Sequence, residues 1–248
     1  AELPNHCAEA WKKVGEAQLS GFSQSMDRVV ICGMGGSAIA GDLAADLAEA
    51  QGGLPITVVR DFRLPFTPND RTLVVACSYS GGTQETLSLY QQAVEAGSPI
   101  VAITGGGVLA QLAAEGGVPI LHVNTKGEPR SALGYNLMLL LGLLQKLGLV
   151  ETKESDVPPA IKAIEQQIAG CGPDRPTGEN PAKQIALELH DRIPLICGGG
   201  IFRGMARRWK TQFNENNANG GRYLKSPLNY LTRLKNAENK FNSASVPI

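Results

Sequence analysis

Glycine and hydroxyl residues follow two apolar segments of the sequence, where they could bind an anion together. The first segment reads VVICGMGGSAIAGD at 29–42, and the second reads TLVVACSYSGGTQET at 72–86. Glycine allows a sharp turn and a close approach of backbone N–H groups to a ligand. A helix that starts at such a turn favours a negative charge at its N-terminus. The pattern therefore predicts a phosphate site, with ligands at Gly35, Gly36, Ser37, Ser78, Ser80 and Thr83.

Each of the two turns also has a simpler explanation. The first matches only the permissive form of the dinucleotide-binding pattern, because Ala38 stands where the third glycine would be. A purely structural turn between a strand and a helix explains this segment as well as a ligand loop does. The second turn could be an ordinary capped helix, although a cap needs only one hydroxyl. Two such turns in one α/β unit favour the phosphate site.

Strand and helix patterns alternate through the first 150 residues. We predict strands at 29–32, 56–59, 73–77, 100–103 and 119–122, and helices at 3–20, 38–50, 84–96, 108–115 and 131–147. This alternation is typical of a parallel sheet with right-handed crossovers. Further along we predict a helix at 159–169 in a proline-bearing linker, then a helix at 181–190, a strand at 194–197 and a helix at 203–213.

Composition excludes some classes of function. The chain has 248 residues with 23 basic and 23 acidic side chains, and this balance argues against nucleic acid as the main partner. No group of His, Cys and carboxylate residues has ligand spacing, so we expect no metal and no other cofactor. The apolar run at 133–150 is interrupted by Asn136, Gln145 and Lys146, which favours a core or subunit-interface helix over a membrane span. An odd number of cysteines without a C-x-x-C pair predicts a reducing, cytoplasmic location.

The motifs resemble those of a known family. GMGGSAIAGD and SYSGGTQET are similar to the sugar isomerase (SIS) domain, and more narrowly to the bifunctional phosphoglucose/phosphomannose isomerases. Further support comes from EPRSALGY at 128–135, NPAKQIA at 180–186 and ARRWKTQFNEN at 206–216. The resemblance implies an α/β fold, a three-layer αβα sandwich with a flavodoxin-like parallel sheet. A first SIS domain would span 1–150 and a linker 151–180, with an incomplete second SIS-like half at 181–248.

The same resemblance implies an activity and two catalytic residues. Members interconvert glucose 6-phosphate with fructose 6-phosphate through a cis-enediolate, and whether mannose 6-phosphate is also a substrate stays open here. Glu215 matches the family's base, and Arg130 matches the cation that faces its active site. From the residues alone, a solvated carboxylate at a helix end is the favoured interpretation of Glu215, and Arg130 could equally pair with Glu128. The resemblance also implies a small-molecule sugar phosphate as partner, a homodimer, no nucleic acid and no membrane.

The sequence departs from the family after the N-E-N segment. The family continues to a P-E-L-N-H segment whose histidine is thought to open the sugar ring, whereas no histidine follows His190 here. One shifted base in suitable codons for 222–232 would restore a similar segment, so we expect that 218–248 were not selected to pack. This predicts phosphosugar binding with low or absent turnover of closed-ring substrate. The alternative function is a non-catalytic phosphosugar-binding module, either a sensor or an inactive remnant.

Overall fold

A five-stranded parallel sheet forms the centre of the structure, which is a computed structural model. The structure describes residues 2–19, 22, 26–125, 129–190, 192 and 194–216, and for 129, 130, 215 and 216 it describes the backbone alone. The strands are β1 (Arg28–Gly33), β2 (Ile56–Val59), β3 (Thr72–Ser78), β4 (Ile100–Thr104) and β5 (Ile120–His122). Their order in the sheet is β2-β1-β3-β4-β5, with every neighbouring pair parallel. This is the flavodoxin-like order, as the resemblance implied.

Eight α-helices accompany the sheet within the described residues. They are α1 (Leu3–Glu16), α2 (Gly35–Ala50), α3 (Gln84–Glu95), α4 (Gly107–Glu115), α5 (Leu133–Lys146), α6 (Val157–Gly170), α7 (Pro181–Glu188) and α8 (Arg203–Asn216). All five strands predicted for the first 150 residues are confirmed to within one residue at each end. The predicted helix at 38–50 begins earlier, at Gly35, because the glycines themselves form the first helical turn.

The sheet is buried on both faces, which explains its continuous apolar strands. Alternate residues of β1 enter different cores: Val29 and Ile31 contribute to one, and Val30 and Cys32 to the other. The first core is completed by α1, α2 and α5, and the second by α3 and α4. The result is the predicted three-layer sandwich.

Helix α5 is a core helix, as its apolar sequence indicated. Tyr135, Leu139, Leu140 and Leu143 are each 1% exposed or less. Among the described residues, no helix has the length and the apolar character needed to cross a membrane.

The predicted strand at 194–197 is wrong. Residues 194–199 have no regular secondary structure, and the Leu195 side chain is 63% exposed. A strand needs a neighbouring strand to pair its backbone groups, and the described part of the chain supplies none there. The two flanking helices are confirmed as α7 and α8.

The chain divides into two compact units, residues 1–207 and 208–248, which we describe separately. The first contains the whole sheet and α1 to α7. The second holds the rest of α8, where the Trp209 and Phe213 rings are 5.9 Å apart. The tail at 218–248 lies outside the described residues, as does the suggested partner of Arg130, Glu128. The domain bounds 1–150, 151–180 and 181–248 stay predictions.

Candidate phosphate-binding site

The two turns singled out in the sequence lie side by side at the carboxyl edge of the sheet. Strands β1 and β3 are neighbours, and Gly33 at the end of β1 pairs with Cys77 near the end of β3. From there α2 packs in one core and α3 in the other, so the chain leaves the two strands toward opposite faces. Such a reversal opens a crevice outside the strand ends, where open α/β sheets bind ligands.

The first glycine turn (residues 33–37) directs the N-terminus of α2 at this crevice. Met34 precedes the helix in an extended conformation, and Gly35 begins it with φ +48°, a value that side chains disfavour. Gly33 is required by packing, since a Cβ there would lie 2.9 Å from the Cys77 carbonyl oxygen. The Ser37 side chain is buried, and the Ser37 backbone N–H donates to the Met34 carbonyl at 3.1 Å. A helix start of this kind offers unpaired N–H groups to an anion.

The serine turn (residues 78–83) joins β3 to α3. Ser78 Oγ is 2.9 Å from Thr83 Oγ1 and accepts a hydrogen bond from the Gly81 N–H at 3.1 Å. Ser78 is only 2% exposed, whereas Ser80 is exposed and its Oγ accepts from the Gly82 N–H at 3.3 Å. Thr83 occupies the N-cap position of α3 but makes no cap bond with its side chain. The Ser80 and Thr83 hydroxyls therefore keep capacity for a ligand, while Ser78 mainly shapes the turn.

A further glycine turn at residues 105–107 packs against the serine turn, and the sequence analysis did not single it out. This second glycine turn joins β4 to α4. Strand β4 pairs with β3, so that Thr104 lies beside Ser78. Its Gly105 N–H donates to the Tyr79 carbonyl at 3.1 Å. The signal was present, because GGG follows an apolar strand and precedes a helix just as in the first two turns.

The two predicted catalytic residues, Arg130 and Glu215, come after the last strand of the sheet in the sequence. Arg130 belongs to a single 3₁₀ turn, Pro129–Ala132, between β5 and α5. Glu215 lies in the last turn of α8. The side chains of both residues are outside the described part of the structure, so their assignment is taken up as a proposal below.

The start of α8 is bound to α2, the helix that begins at the first glycine turn. Asp46 of α2 is 5% exposed, and its carboxylate accepts from the Gly204 N–H at 2.5 Å and from Arg203 Nε at 3.1 Å. Arg203 also pairs with Glu49, and Arg207 Nε lies 3.6 Å from Asp42. The carboxylates of Asp46 and Glu49 raise the pKa of Arg203, most of all through the hydrogen bond that Arg203 donates to Asp46.

Two cysteines lie near the strand ends, but they are not nucleophiles. Burial raises the pKa of the Cys77 thiol to about 12, and burial together with the nearby Cys77 also raises the pKa of Cys32. The thiolate is the reactive form of cysteine, and both groups stay protonated at neutral pH. They serve as small apolar core residues. Cys197 lies in the segment predicted as a strand at 194–197, which does not form, and its side chain is exposed.

Comparison with known proteins identifies the relatives of this chain. It is 37% identical over 215 residues to a bifunctional phosphoglucose/phosphomannose isomerase of Caldicellulosiruptor bescii, covering 86% of this chain and 63% of the relative. It is 35% identical over 192 residues to a protein of the same name from Thermoplasma volcanium, covering 77% of this chain and 57% of the relative. Over most of its length, the chain is therefore similar to bifunctional phosphoglucose/phosphomannose isomerases.

Two further matches concern a short segment of this chain and its fold. Residues 178–218 match a family model described as the bacterial phospho-glucose isomerase C-terminal SIS domain. The structure resembles the C-terminal domain of glucosamine-fructose-6-phosphate aminotransferase from Francisella tularensis, with a TM-score of 0.65, 18% identity and coverage of 86% of this chain and 65% of that one. At that identity the likeness concerns the fold alone. This chain spans about 63% of the length of its Caldicellulosiruptor relative.

Proposed function

We propose that this chain is an aldose–ketose isomerase that interconverts glucose 6-phosphate, and also mannose 6-phosphate, with fructose 6-phosphate. The observation that carries the proposal is the meeting of two glycine- and hydroxyl-bearing turns at the crevice between β1 and β3. Similarity to relatives named bifunctional phosphoglucose/phosphomannose isomerase supports the choice of substrate.

The phosphate group is placed over the two turns. N–H groups of Gly35 and Gly36 at the start of α2, with hydroxyls of Ser37, Ser80 and Thr83, supply neutral donors and a helix dipole. Ser78 supports them through its bonds to Thr83 and Gly81. Binding a dianion through neutral donors fits a site that must also release a phosphorylated product.

The catalytic roles in this proposal follow from the family resemblance. In our proposal Glu215 removes the proton from C2 of the aldose and returns it to C1, while the hydroxyl proton passes from O2 to O1. Charge develops on the enediolate oxygens between these two steps, and the Arg130 guanidinium stabilises it. No electrons are gained or lost overall, so the reaction needs no redox cofactor.

Deuterium exchange tests the catalytic part of the proposal. Fructose 6-phosphate is incubated with the protein in D₂O, and the aldose phosphates formed are followed by NMR. We expect slow formation of glucose 6-phosphate and mannose 6-phosphate labelled at C2, because the predicted turnover of closed-ring substrate is low, and no label with Glu215→Gln. Binding of fructose 6-phosphate without exchange in the unmodified chain would contradict the isomerase and favour the non-catalytic module.

Two finer expectations remain part of the proposal. We infer a homodimer, which the family resemblance supports, and a cytoplasmic location, which the cysteine content supports. Light scattering after size exclusion would decide the first, since a mass near the 26.2 kDa of the chain would contradict it.

A further inference from the structure

The second glycine turn and the start of α4 bind the two ends of the segment from Tyr79 to Gly81, within the serine turn, through backbone hydrogen bonds. At one end the Gly105 N–H donates to the Tyr79 carbonyl at 3.1 Å. At the other, the Leu109 N–H in the first turn of α4 donates to the Gly81 carbonyl at 2.9 Å. The segment from Tyr79 to Gly81, which includes Ser80, is therefore fixed by a neighbouring loop as well as by its own bonds.

The two turns are in such close contact that neither tolerates a side chain at the contact. A Cβ on Gly81 would lie 1.7 Å from the Gly106 carbonyl oxygen, and one on Gly107 would lie 2.3 Å from the Ser80 carbonyl oxygen. Both glycines also have positive φ, +67° and +68°. The contact thus depends on glycine for space and for backbone conformation alike.

The second glycine turn is itself fixed by a buried residue. Thr104 has no exposed surface; its hydroxyl donates to the Gly106 carbonyl at 2.9 Å and accepts from the Gly106 N–H at 3.2 Å. Thr104 is the last residue of β4 and pairs with Ser78 across the sheet. The sheet therefore sets the position of the second glycine turn, which then sets the position of the serine turn.

We propose that Gly105 and Gly107 are positioning residues, which hold the Ser80 hydroxyl where a phosphate group binds. This inference rests on the proposed function. A binding loop that is held in shape before the ligand arrives loses less conformational freedom on binding. Displacement of the Ser80 carbonyl moves the neighbouring hydroxyl and so weakens its bond to the phosphate.

Alanine variants with a matched control test this role. Gly107→Ala introduces both a strained φ and a clash with the serine turn, whereas Gly105→Ala introduces only a clash, 2.7 Å from the Tyr79 carbonyl oxygen. Gly117→Ala is the control, because Gly117 has φ +64° but no atom within 4 Å of its would-be Cβ. If Gly107→Ala does not fold, the Gly105 variant still carries the test.

Two measurements are made on each full-length variant. By isothermal titration we expect both clash variants to bind glucose 6-phosphate about tenfold more weakly, and the control to stay within about twofold. By hydrogen exchange we expect faster exchange of amides in residues 79–83 in the clash variants only.

The outcomes separate the inference from the function on which it rests. Unchanged exchange in both clash variants overturns the positioning role, whatever the ligand. Faster exchange with unchanged affinity overturns the link to phosphate binding. Failure of the unmodified protein to bind glucose 6-phosphate overturns the proposed function, and the exchange data alone then decide whether the second glycine turn holds the serine turn.

Discussion

The hydroxyl residues of the serine turn have different surroundings, although the sequence presents them alike. Ser78 is buried and already bonded to Thr83 and to the Gly81 N–H. Ser80 is exposed, and within the described part of the chain its hydroxyl bonds only to the neighbouring Gly82 N–H. A ligand can replace that exposed bond at little cost, whereas a change at Ser78 would alter the turn itself. Loss of binding in a Ser78 variant would thus report on structure first.

Substitution of the two outer hydroxyls should weaken binding without unfolding the protein. We expect Ser80→Ala and Thr83→Ala each to reduce the affinity for fructose 6-phosphate by about 1–3 kcal/mol, the range for hydrogen bonds to a charged group. Isothermal titration measures this directly. Ser88→Ala serves as control, because the Ser88 hydroxyl donates to the Phe62 carbonyl, away from the turns. Equal affinity in all variants would remove the hydroxyls from the site.

Among the elements, α1 and α5 are packed unusually closely through glycines. A Cβ on Gly134 would lie 2.5 Å from Leu3 Cδ1, and one on Gly142 would lie 2.1 Å from Val14 Cγ1. Helices approach this closely only where side chains are absent. The contact fixes α5, and the 3₁₀ turn that carries Arg130 leads directly into that helix.

Alanine at Gly142 should therefore destabilise the fold. Overpacking of a core usually costs about 1–3 kcal/mol, which exceeds the gain of about 0.5–1 kcal/mol for glycine to alanine within a helix. Urea unfolding would show a lower midpoint. Gly15→Ala is the matched control, since Gly15 is also helical but has no atom within 4 Å of its would-be Cβ. A stabilised Gly142→Ala protein would contradict the close packing.

The attachment of α8 to α2 should depend on Asp46 far more than on Glu49. Asp46→Ala leaves the buried Gly204 N–H without its acceptor, so we expect a loss of about 1–3 kcal/mol in the free energy of unfolding. Glu49 also pairs with Arg203, but its side chain is 67% exposed. Exposed pairs contribute about 0–1 kcal/mol, so Glu49→Ala should change little. Equal effects of the two variants in urea unfolding would contradict this ranking.

At the scale of the whole molecule, the fold places titratable groups in cores where they must stay neutral. Burial raises the pKa of Cys32, Cys77 and Tyr135, and for Tyr135 the hydrogen bond to Glu9 raises it further. Each group is neutral when protonated. The native state therefore holds these protons at pH values where the unfolded chain has already released them.

Stability should consequently fall at alkaline pH. A raised folded-state pKa contributes stability that is complete below the unfolded value, about 8.5 for cysteine, and that decreases as the pH rises toward the folded value. We expect the free energy of unfolding to decrease between pH 8.5 and the pKa of about 12 for Cys77. Urea titrations at pH 7.5, 9 and 10 measure the slope. Cys77→Ala, although less stable at pH 7.5, should show a smaller slope, and an unchanged slope would contradict the assignment.

The sequence by itself determined the strands, their parallel arrangement and the two glycine- and hydroxyl-bearing turns. These follow from local signals: continuous apolar runs specify strands buried on both faces, and glycine next to hydroxyl residues specifies the turns. The strand predicted at 194–197 failed because an apolar run becomes a strand only where a neighbour pairs with it. The local sequence does not indicate whether such a neighbouring strand is present.

Only the tertiary structure decided how the turns are supported. The contact between Gly81 and the second glycine turn joins segments that are separate in sequence. The glycines in the sequence do not indicate which other residues pack against them. Likewise, the sequence does not distinguish Asp46 from other charged residues of a helix. Its role follows from the hydrogen bonds that the Gly204 N–H and Arg203 donate to its carboxylate. Local pattern reports what each segment can form, whereas the roles of Gly107 and Asp46 depend on which distant atoms the folded chain brings within bonding distance.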